Sequence, residues 1–157
     1  MAERAPEGSE LPVLLALAFR AMVDELHHRL AALGFADVRP AHGFAFVRLT
    51  PDGATGNELA AHLGVSKQAA SQMVDYLEGH SYVTRRPHPR DGRGKIVVLT
   101  ERGWACIRAT EAIFADIERR WAGDIGAERM ELLRADLRRL VYATGDDALP
   151  RPLRPVW

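Results

Sequence analysis

The sequence predicts a mainly α-helical protein with one small β-hairpin, and three observations support this fold class. Apolar residues recur at steps of three or four along several segments, which is the spacing of one helix face. Two β-branched and aromatic runs, 82–85 and 95–99, flank a loop with two prolines and two glycines, a pattern typical of a hairpin. The length of 157 residues is about that of one domain. The predicted order is four helices, the hairpin and two further helices.

The first two helices are predicted within residues 9–49. Ser9 is a suitable N-cap for a long helix that Gly34 closes. A shorter helix follows, with Pro40 in its first turn and Leu49 at its end. The apolar face of the first helix consists of Leu11, Leu15, Ala18, Met22, Leu26, Leu30 and Leu33.

Two short helices joined by three residues come next. Thr55 and Glu58 have the spacing of a capping box, which predicts a helix start at this point. Gly64 ends this helix, and Ser66 is a suitable N-cap for a second helix over 67–79. Because the connection is short and contains glycine, the pair predicts a helix-turn-helix. The second helix is expected to bury Ala70, Met73, Val74 and Leu77.

Two helices are predicted after the hairpin. The first spans 101–121 with an apolar stripe and breaks at Gly123 to Gly126, and the second spans 127–143 and is closed by Gly145. The tail, 146–157, has three prolines and is expected to be extended. The stripe residues are Trp104, Ile107, Phe114, Ile117 and Trp121 in the first of these helices, and Met130, Leu133, Leu137, Leu140 and Val141 in the second.

Charge is balanced overall but concentrated locally. Basic and acidic residues number 21 each, so the whole chain has no electrostatic preference for nucleic acid. Between Thr84 and Lys95, however, five basic residues face one acidic residue, which is the composition of a phosphate-facing patch. The sequence contains no apolar run of about 20 residues and no signal-peptide pattern. The single cysteine, Cys106, excludes an intramolecular disulfide and favours a reducing, cytoplasmic setting.

The second short helix and the hairpin carry side chains suited to duplex DNA. In a helix-turn-helix the second helix enters the major groove and its N-terminal residues reach base edges, where Gln can pair with adenine. Arginines in the hairpin loop suit the narrow, electronegative minor groove. Polar residues on a helix face are also commonly just solvated, and this alternative stays open here. The candidate DNA-contacting residues are Ser66, Lys67, Gln68, Ser71, Gln72, Arg90 and Arg93.

The segment 66–103 resembles the recognition helix and wing of the MarR (multiple antibiotic resistance regulator) family of transcriptional regulators. The wing signature of that family, D-x-R followed by L-T-x-x-G, stands here as 91–93 and 99–103. The helix order from Ser9 to Gly145 also agrees with the family. One departure is Ser81, which occupies the place before the first wing strand where glycine is usual.

The resemblance implies a mainly α-helical, winged helix-turn-helix protein that forms a homodimer. Residues 9–49 and 101–145 would form the helical dimerisation region, and 50–100 the DNA-binding domain. Arg93 would enter the minor groove, with Arg85 and Asp91 bracing the wing, while Lys67 and Arg90 are the candidates for phosphate contacts. The apolar faces of the three long helices exceed what one small winged domain needs, although packing within a monomer is an alternative.

Members of the family often bind small aromatic or anionic ligands between the dimer helices and the winged domain. His28, His42, Phe46 and Trp104 are the candidate lining residues, and a simple core role is the alternative. A metal site is not expected, because the six histidines do not cluster with Cys or acidic partners. Nor does any cofactor-binding motif or catalytic arrangement of nucleophile, base and carboxylate stand out.

The sequence therefore predicts a sequence-specific, DNA-binding transcriptional regulator without enzymatic activity. As a homodimeric repressor it would bind pseudo-palindromic duplex DNA and be released by a small-molecule effector. One alternative is a winged-helix module that binds protein rather than DNA. Another is a small enzyme built on a helical scaffold.

Overall fold

The computed structural model describes residues 10–142 and confirms the predicted fold class. The predictions for Ser9, Gly145 and the tail lie outside these residues. The chain folds into six helices and one antiparallel hairpin within the described range. The elements are α1 (Glu10–Ala32), α2 (Pro40–Leu49), α3 (Gly56–Leu63), α4 (Lys67–Gly79), β1 (Val83–Pro87), β2 (Lys95–Leu99), α5 (Glu101–Ile125) and α6 (Ala127–Val141).

One hydrophobic core joins residues from α1 to α5. Leu49, Leu59, Leu77 and Tyr82 are almost fully buried in it and come from α2, α3, α4 and the start of the wing. The wing strands pair in register from Val83 opposite Leu99 to Pro87 opposite Lys95. The helix-turn-helix and the hairpin share this core and therefore pack together. We call these four elements, α3, α4, β1 and β2, the winged unit.

The burial of the apolar faces of α1 and α6 differs from the prediction. Of the predicted face of α1, Leu26 and Leu30 are buried and Met22 is half-buried, whereas Leu11 and Leu33, at its two ends, are 67% and 59% exposed. In α6 the single buried residue is Met130, and Leu140 is 77% exposed. Helix periodicity correctly marks an apolar face, but it does not tell whether the same chain covers that face.

Helix α5 is longer than predicted and presents a different stripe to the core. It continues through Gly123 to Ile125, because an isolated glycine costs a helix only about 1 kcal/mol, and it ends at Gly126, whose φ is +97°. Its buried residues are Gly103, Cys106, Ile113 and Ile117. The predicted stripe residues Trp104, Ile107, Phe114 and Trp121 are only half-buried.

Gly103 explains why α5 buries a stripe that differs from the predicted one. A Cβ at this position would lie far inside van der Waals contact of the Tyr82 carbonyl oxygen. Thr100 caps the helix by accepting the amide of Gly103 at 3.2 Å, and its own amide donates to Tyr82 at 3.0 Å. The threonine and glycine of the L-T-x-x-G signature thus dock the start of α5 on the wing. This docking decides which face of α5 is buried.

Ion pairs fix α1 against α5. Arg29 contacts Asp116 at 2.7 Å, and Arg120 contacts Glu25 at 2.5 Å. These pairs hold α1 beside the middle of α5, and α2 lies between them and the winged unit. Among the helices of residues 10–142, none combines the length and apolarity needed to cross a membrane.

Candidate nucleic-acid interface

Local hydrogen bonds build the helix-turn-helix as predicted. The Thr55 hydroxyl accepts the Glu58 amide at 3.2 Å, while Glu58 accepts the Thr55 amide at 2.8 Å, which confirms the capping box. Gly64 ends α3 in the left-handed region, with φ 62° and ψ 37°. The Ser66 hydroxyl accepts the Ala69 amide at 3.1 Å and starts α4. The angle between the two helices is therefore set within a few residues of chain.

The two faces of α4 are chemically distinct. Ala70, Val74 and Leu77 are buried, as predicted, and Met73 is half-buried. The predicted DNA-contacting residues of this helix and its cap are all exposed, and they form one polar face with a single formal charge, that of Lys67. These residues are Ser66, Lys67, Gln68, Ser71 and Gln72.

Hydrogen bonds within the loop shape the wing tip. The His88 amide donates to the Gly94 carbonyl at 2.9 Å, and the ring nitrogen Nδ1 of His88 accepts the amides of Arg90 and Asp91 at 3.1 and 3.2 Å. The Asp91 carboxylate accepts the Arg93 amide at 3.1 Å, which is an Asx-turn. Arg90 and Arg93 are both exposed on this loop.

Sequence reasoning missed the role of His88. A lone histidine between two prolines carries no signal that its ring nitrogen will accept two backbone amides. The D-x-R spacing, in contrast, has a local explanation, because an Asp side chain commonly accepts the amide two residues on. His88 and Asp91 together hold the backbone from which the two arginines project.

Arg85 is engaged with the recognition helix. Its guanidinium contacts Glu78 and, at 2.5 Å, Asp75, and its amide donates to Glu78 at 3.0 Å. It thereby ties β1 to the C-terminal half of α4. Its acidic partners were not anticipated, because they lie seven and ten residues away in the sequence.

Ser81 adopts a backbone conformation that favours glycine. Its φ is 64°, and among residues 10–142 it is the one non-glycine residue with positive φ. Its amide donates to Glu78 at 3.0 Å, and the next amide, of Tyr82, donates to Leu77 at 2.9 Å. The chain needs this conformation to turn directly from α4 into β1. The glycine that is usual at this place in the family has the same physical explanation.

Five basic side chains around α4 and the wing form no ion pair within residues 10–142. Lys67 and Lys95 line, with Asn57, a depression of about 170 Å³ between α3, α4 and β2. The other three lie on the wing, and the whole set gives this side of the molecule an excess of positive charge. The set consists of Lys67, Arg86, Arg90, Arg93 and Lys95.

A groove runs between α1, α2 and α5. It holds two adjoining cavities of about 220 and 380 Å³, which share Phe46, Phe114 and Thr110 in their walls. We call this feature the α1–α2–α5 groove. Its lining residues are Phe19, Val23, Leu26, His27, Leu30, Val38, Pro40, Gly43, Phe44, Phe46, Val47, Thr50, Ile107, Thr110, Glu111 and Phe114.

Of the four predicted ligand-pocket residues, Phe46 lines this groove. His28 is exposed on α1, and Trp104 is half-buried against the core. His42 is buried: it accepts the Arg39 amide at 3.0 Å and stacks on Tyr76, with ring centroids 5.0 Å apart. Burial, assisted by the nearby Arg39, lowers the pKa of His42 to about 4. These three residues therefore do not line the groove with Phe46.

The structure also places the remaining candidates for metal or redox chemistry. Within the described range, no three His, Cys, Asp or Glu side chains gather as metal ligands would. Cys106 is fully buried in the core, and burial raises the pKa of its thiol to about 11. Its sulfhydryl is therefore protonated at neutral pH.

Comparison with known proteins finds a family match over part of the chain. The family model described as MarR family matches residues 44–94, which include α3, α4, β1 and the wing loop. No curated protein matches the chain.

Solved structures share the fold over most of their length. RV1404 from Mycobacterium tuberculosis is 28% identical with a TM-score of 0.70, over 92% of this chain and 99% of that one. Wild-type MarR from E. coli is 25% identical with a TM-score of 0.65, over 88% and 99%. The transcriptional repressor CouR, solved on a 23-mer DNA duplex, is 24% identical with a TM-score of 0.67, also over 88% and 99%. Residues 44–94 thus match the MarR family model, and the chain as a whole is similar in fold to these solved winged helix-turn-helix proteins.

Proposed function

We propose that this protein is a homodimeric transcriptional repressor that acts in the cytoplasm and binds pseudo-palindromic duplex DNA. The observation that carries the proposal is the exposed polar face of α4 beside a wing on which four exposed basic side chains form no ion pair within residues 10–142. The DNA complex of CouR, which has the same fold, supports the proposal.

The two parts of the surface have different tasks in this proposal. Gln68 and Gln72 lie one helical turn apart on α4 and can pair with adenine in the major groove. Ser66 and Ser71 suit either base edges or phosphates, and Arg93 enters the minor groove. These contacts carry the sequence preference.

Phosphate contacts position the protein without reading sequence. Lys67 and Arg90 take this role, and the absence of internal partners adds Arg86 and Lys95. Lys67, Lys95 and the ion-paired Arg85 line the same depression as Asn57 at the start of α3. One phosphate seated there would meet two cations, Lys67 and Lys95, that form no ion pair within residues 10–142. Arg85 is excluded from this set, because Asp75 and Glu78 occupy its guanidinium.

Exposed apolar surface on α1 and α6 supports the homodimer. Contiguous exposed apolar residues on a water-exposed face commonly mark an interaction site. The dimerisation region that we propose comprises 9–49 and 101–145, and 50–100 forms the DNA-binding domain. The residues that a second copy would cover are Leu11, Leu14, Leu15, Leu17, Leu132, Leu133, Leu137 and Leu140.

Release from DNA by a small molecule is the regulatory part of the proposal. The α1–α2–α5 groove is lined by α1, which carries part of the exposed apolar surface, and by α2 and α5. A ligand held there would change how the winged units sit relative to the dimer helices, and so the spacing of the two recognition helices. Release requires that the ligand bind the non-binding spacing more tightly. Nothing in this arrangement calls for catalysis.

Fluorescence anisotropy tests the proposal. The protein is titrated against labelled duplex from the upstream region of its own gene and against a scrambled duplex. We expect tight binding at one dimer per site, with a clear preference for the genuine sequence, and a loss of affinity for Arg93→Ala. Arg119→Ala, on the exposed side of α5, serves as the charge-matched control. Genomic fragments replace the upstream duplex if the operator lies elsewhere.

A winged-helix module that binds protein is the alternative. It predicts weak binding to every duplex and no difference between Arg93→Ala and Arg119→Ala. Failure of all genomic fragments to bind more tightly than the scrambled duplex would therefore refute the regulator proposal.

A further inference from the structure

Aromatic and aliphatic side chains form the walls of the α1–α2–α5 groove. Phe44, Phe46 and Phe114 contribute rings from two sides, and Val47 is 55% exposed at the opening. A concave, apolar site of a few hundred cubic ångströms is the usual form of a small-molecule site. The polar groups along the groove therefore decide which ligand it accepts.

The polar side chains of the groove other than Glu111 include the His27 ring and two threonine hydroxyls, which are engaged within the protein. Nδ1 of His27 lies 2.8 Å from the Val23 carbonyl. The Thr110 hydroxyl donates to the Cys106 carbonyl at 2.9 Å, and the Thr50 hydroxyl donates to the Phe46 carbonyl at the same distance. These hydroxyl hydrogens already have acceptors, so they are not available to hold a ligand carboxylate.

Charge in the groove is one-sided. Of residues 10–142, no lysine or arginine lines it, and Glu111 is the one carboxylate among them that does. Glu111 lies on the same stripe of α5 as Ile107 and Phe114 and forms no ion pair or hydrogen bond with residues 10–142. An anionic ligand would meet this carboxylate without a compensating cation, whereas a cation would gain from it and from the electron-rich ring faces.

We propose that the α1–α2–α5 groove selects a lipophilic aromatic cation, with its rings against Phe46 and Phe114 and its positive group at Glu111, and disfavours aromatic carboxylates. The inference rests on the proposed function, because it names the class of effector that the groove would take. It also decides between the aromatic and the anionic effectors that the family resemblance left open.

The groove is better suited to a small molecule than to a second copy of the chain. The most exposed leucines of α1 and α6, Leu11 and Leu140, are not in its walls. The surface proposed for the dimer is thus separate from the groove. A second copy seated in the groove would also have to place a cation opposite Glu111.

Three probes with one ring system separate the charge classes. These are 2-naphthylmethylamine, 2-naphthylmethanol and 2-naphthoate, titrated into the full chain by isothermal calorimetry. The measurement is made at pH 8, where a histidine side chain is ordinarily neutral. We expect the amine to bind about two- to fivefold more tightly than the alcohol, the range for one partly exposed charge pair, and the carboxylate to bind weakest.

Variants test whether the charge of Glu111 sets the order of the three affinities. Glu111→Gln should make the amine and the alcohol bind equally, and Glu111→Lys should make the carboxylate the tightest of the three. Glu128→Gln removes the same charge from the first turn of α6 and should leave the order unchanged. Val47→Trp, which fills the opening, should weaken all three probes, and thermal unfolding checks that each variant is folded.

Several outcomes overturn the inference. These are binding of none of the probes, tightest binding of the carboxylate to the unmodified protein, or an order that Glu111→Gln does not alter. The calorimetry contains no DNA. A negative result there refutes the proposed ligand class and leaves the test of DNA binding unaffected. If the amine binds as expected but does not change the anisotropy of a bound operator, the ligand class stands and release from DNA fails.

Discussion

Replacement of Arg85 by methionine tests whether this side chain braces the wing or contacts DNA. Methionine keeps much of the aliphatic length and removes the guanidinium that joins β1 to Asp75 and Glu78. The exposed fractions of the side chains are 26% for Arg85, 37% for Glu78 and 63% for Asp75. Each pair is therefore partly solvated.

The expected magnitudes follow from this geometry. Two such pairs contribute about 0.2–1 kcal/mol each, and two carboxylates left three residues apart on a helix add a few tenths of repulsion. Arg85→Met should lower the free energy of unfolding by about 1–2 kcal/mol per chain. A wing that must be reordered on binding should weaken DNA affinity by about tenfold, the equivalent of 1.4 kcal/mol.

The salt dependence of DNA binding separates the two roles. Each phosphate contact contributes about 0.9 to the slope of log affinity against log salt, so loss of one contact per protomer of a dimer changes the slope by about 1.8. Arg85→Met should leave the slope unchanged. Arg86→Met, one residue along the same strand and without an ion pair, should reduce the slope and leave the free energy of unfolding unaltered.

Urea unfolding at fixed protein concentration and anisotropy over a salt series provide both quantities. The double variant Arg85→Met with Glu78→Gln should recover part of the lost stability, because it removes one unpaired carboxylate. The reasoning is wrong if Arg85→Met reduces the slope as Arg86→Met does while its stability stays at the level of the unmodified protein.

Three further predictions concern the core around the wing. Gly103→Ala should destabilise the protein by about 1–3 kcal/mol, because its Cβ meets the Tyr82 carbonyl, whereas Gly123→Ala, with open space around it, should be neutral or stabilising by up to about 1 kcal/mol; equal melting temperatures would contradict this. Ser81→Gly should stabilise by up to about 1 kcal/mol in urea unfolding, because it relieves a positive φ, and a loss of stability would count against that explanation. Burial lowers the pKa of His42 to about 4, so the unfolded chain takes up a proton below pH 6.5 that the folded chain does not. Its contribution to stability is present above that pH and is lost as the pH falls towards 4, by about 2 kcal/mol at pH 5. Urea unfolding at pH 7.5 and 5 should show a smaller loss for His42→Gln than for the unmodified protein, and equal losses would contradict the argument.

The helix-turn-helix and the wing could be predicted from the sequence because local interactions specify them. The start of α4 follows from a serine cap, and the start of α3 follows from a threonine and a glutamate three residues apart. The hairpin follows from two β-branched runs with a turn-rich loop between them. The exposed face of α4 follows from the 3.6-residue period once its buried face is known.

Only the tertiary structure decided which long-range contacts surround these elements. Periodicity marked an apolar stripe on α5, but the contact of Gly103 with Tyr82 set which stripe is buried. The partners of Arg85 and the burial of His42 depend on helices that meet in space and are separated in sequence.

The α1–α2–α5 groove is the clearest example of a feature that only the tertiary structure decides. Its walls come from α1, α2 and α5, so Phe46 and Glu111 become neighbours of one cavity although 65 positions separate them in the chain. Capping bonds and turn conformations act within a few residues, and a sequence displays them directly. A cavity is the space that packed helices leave between them, so its shape and charge exist only once the helices have been placed.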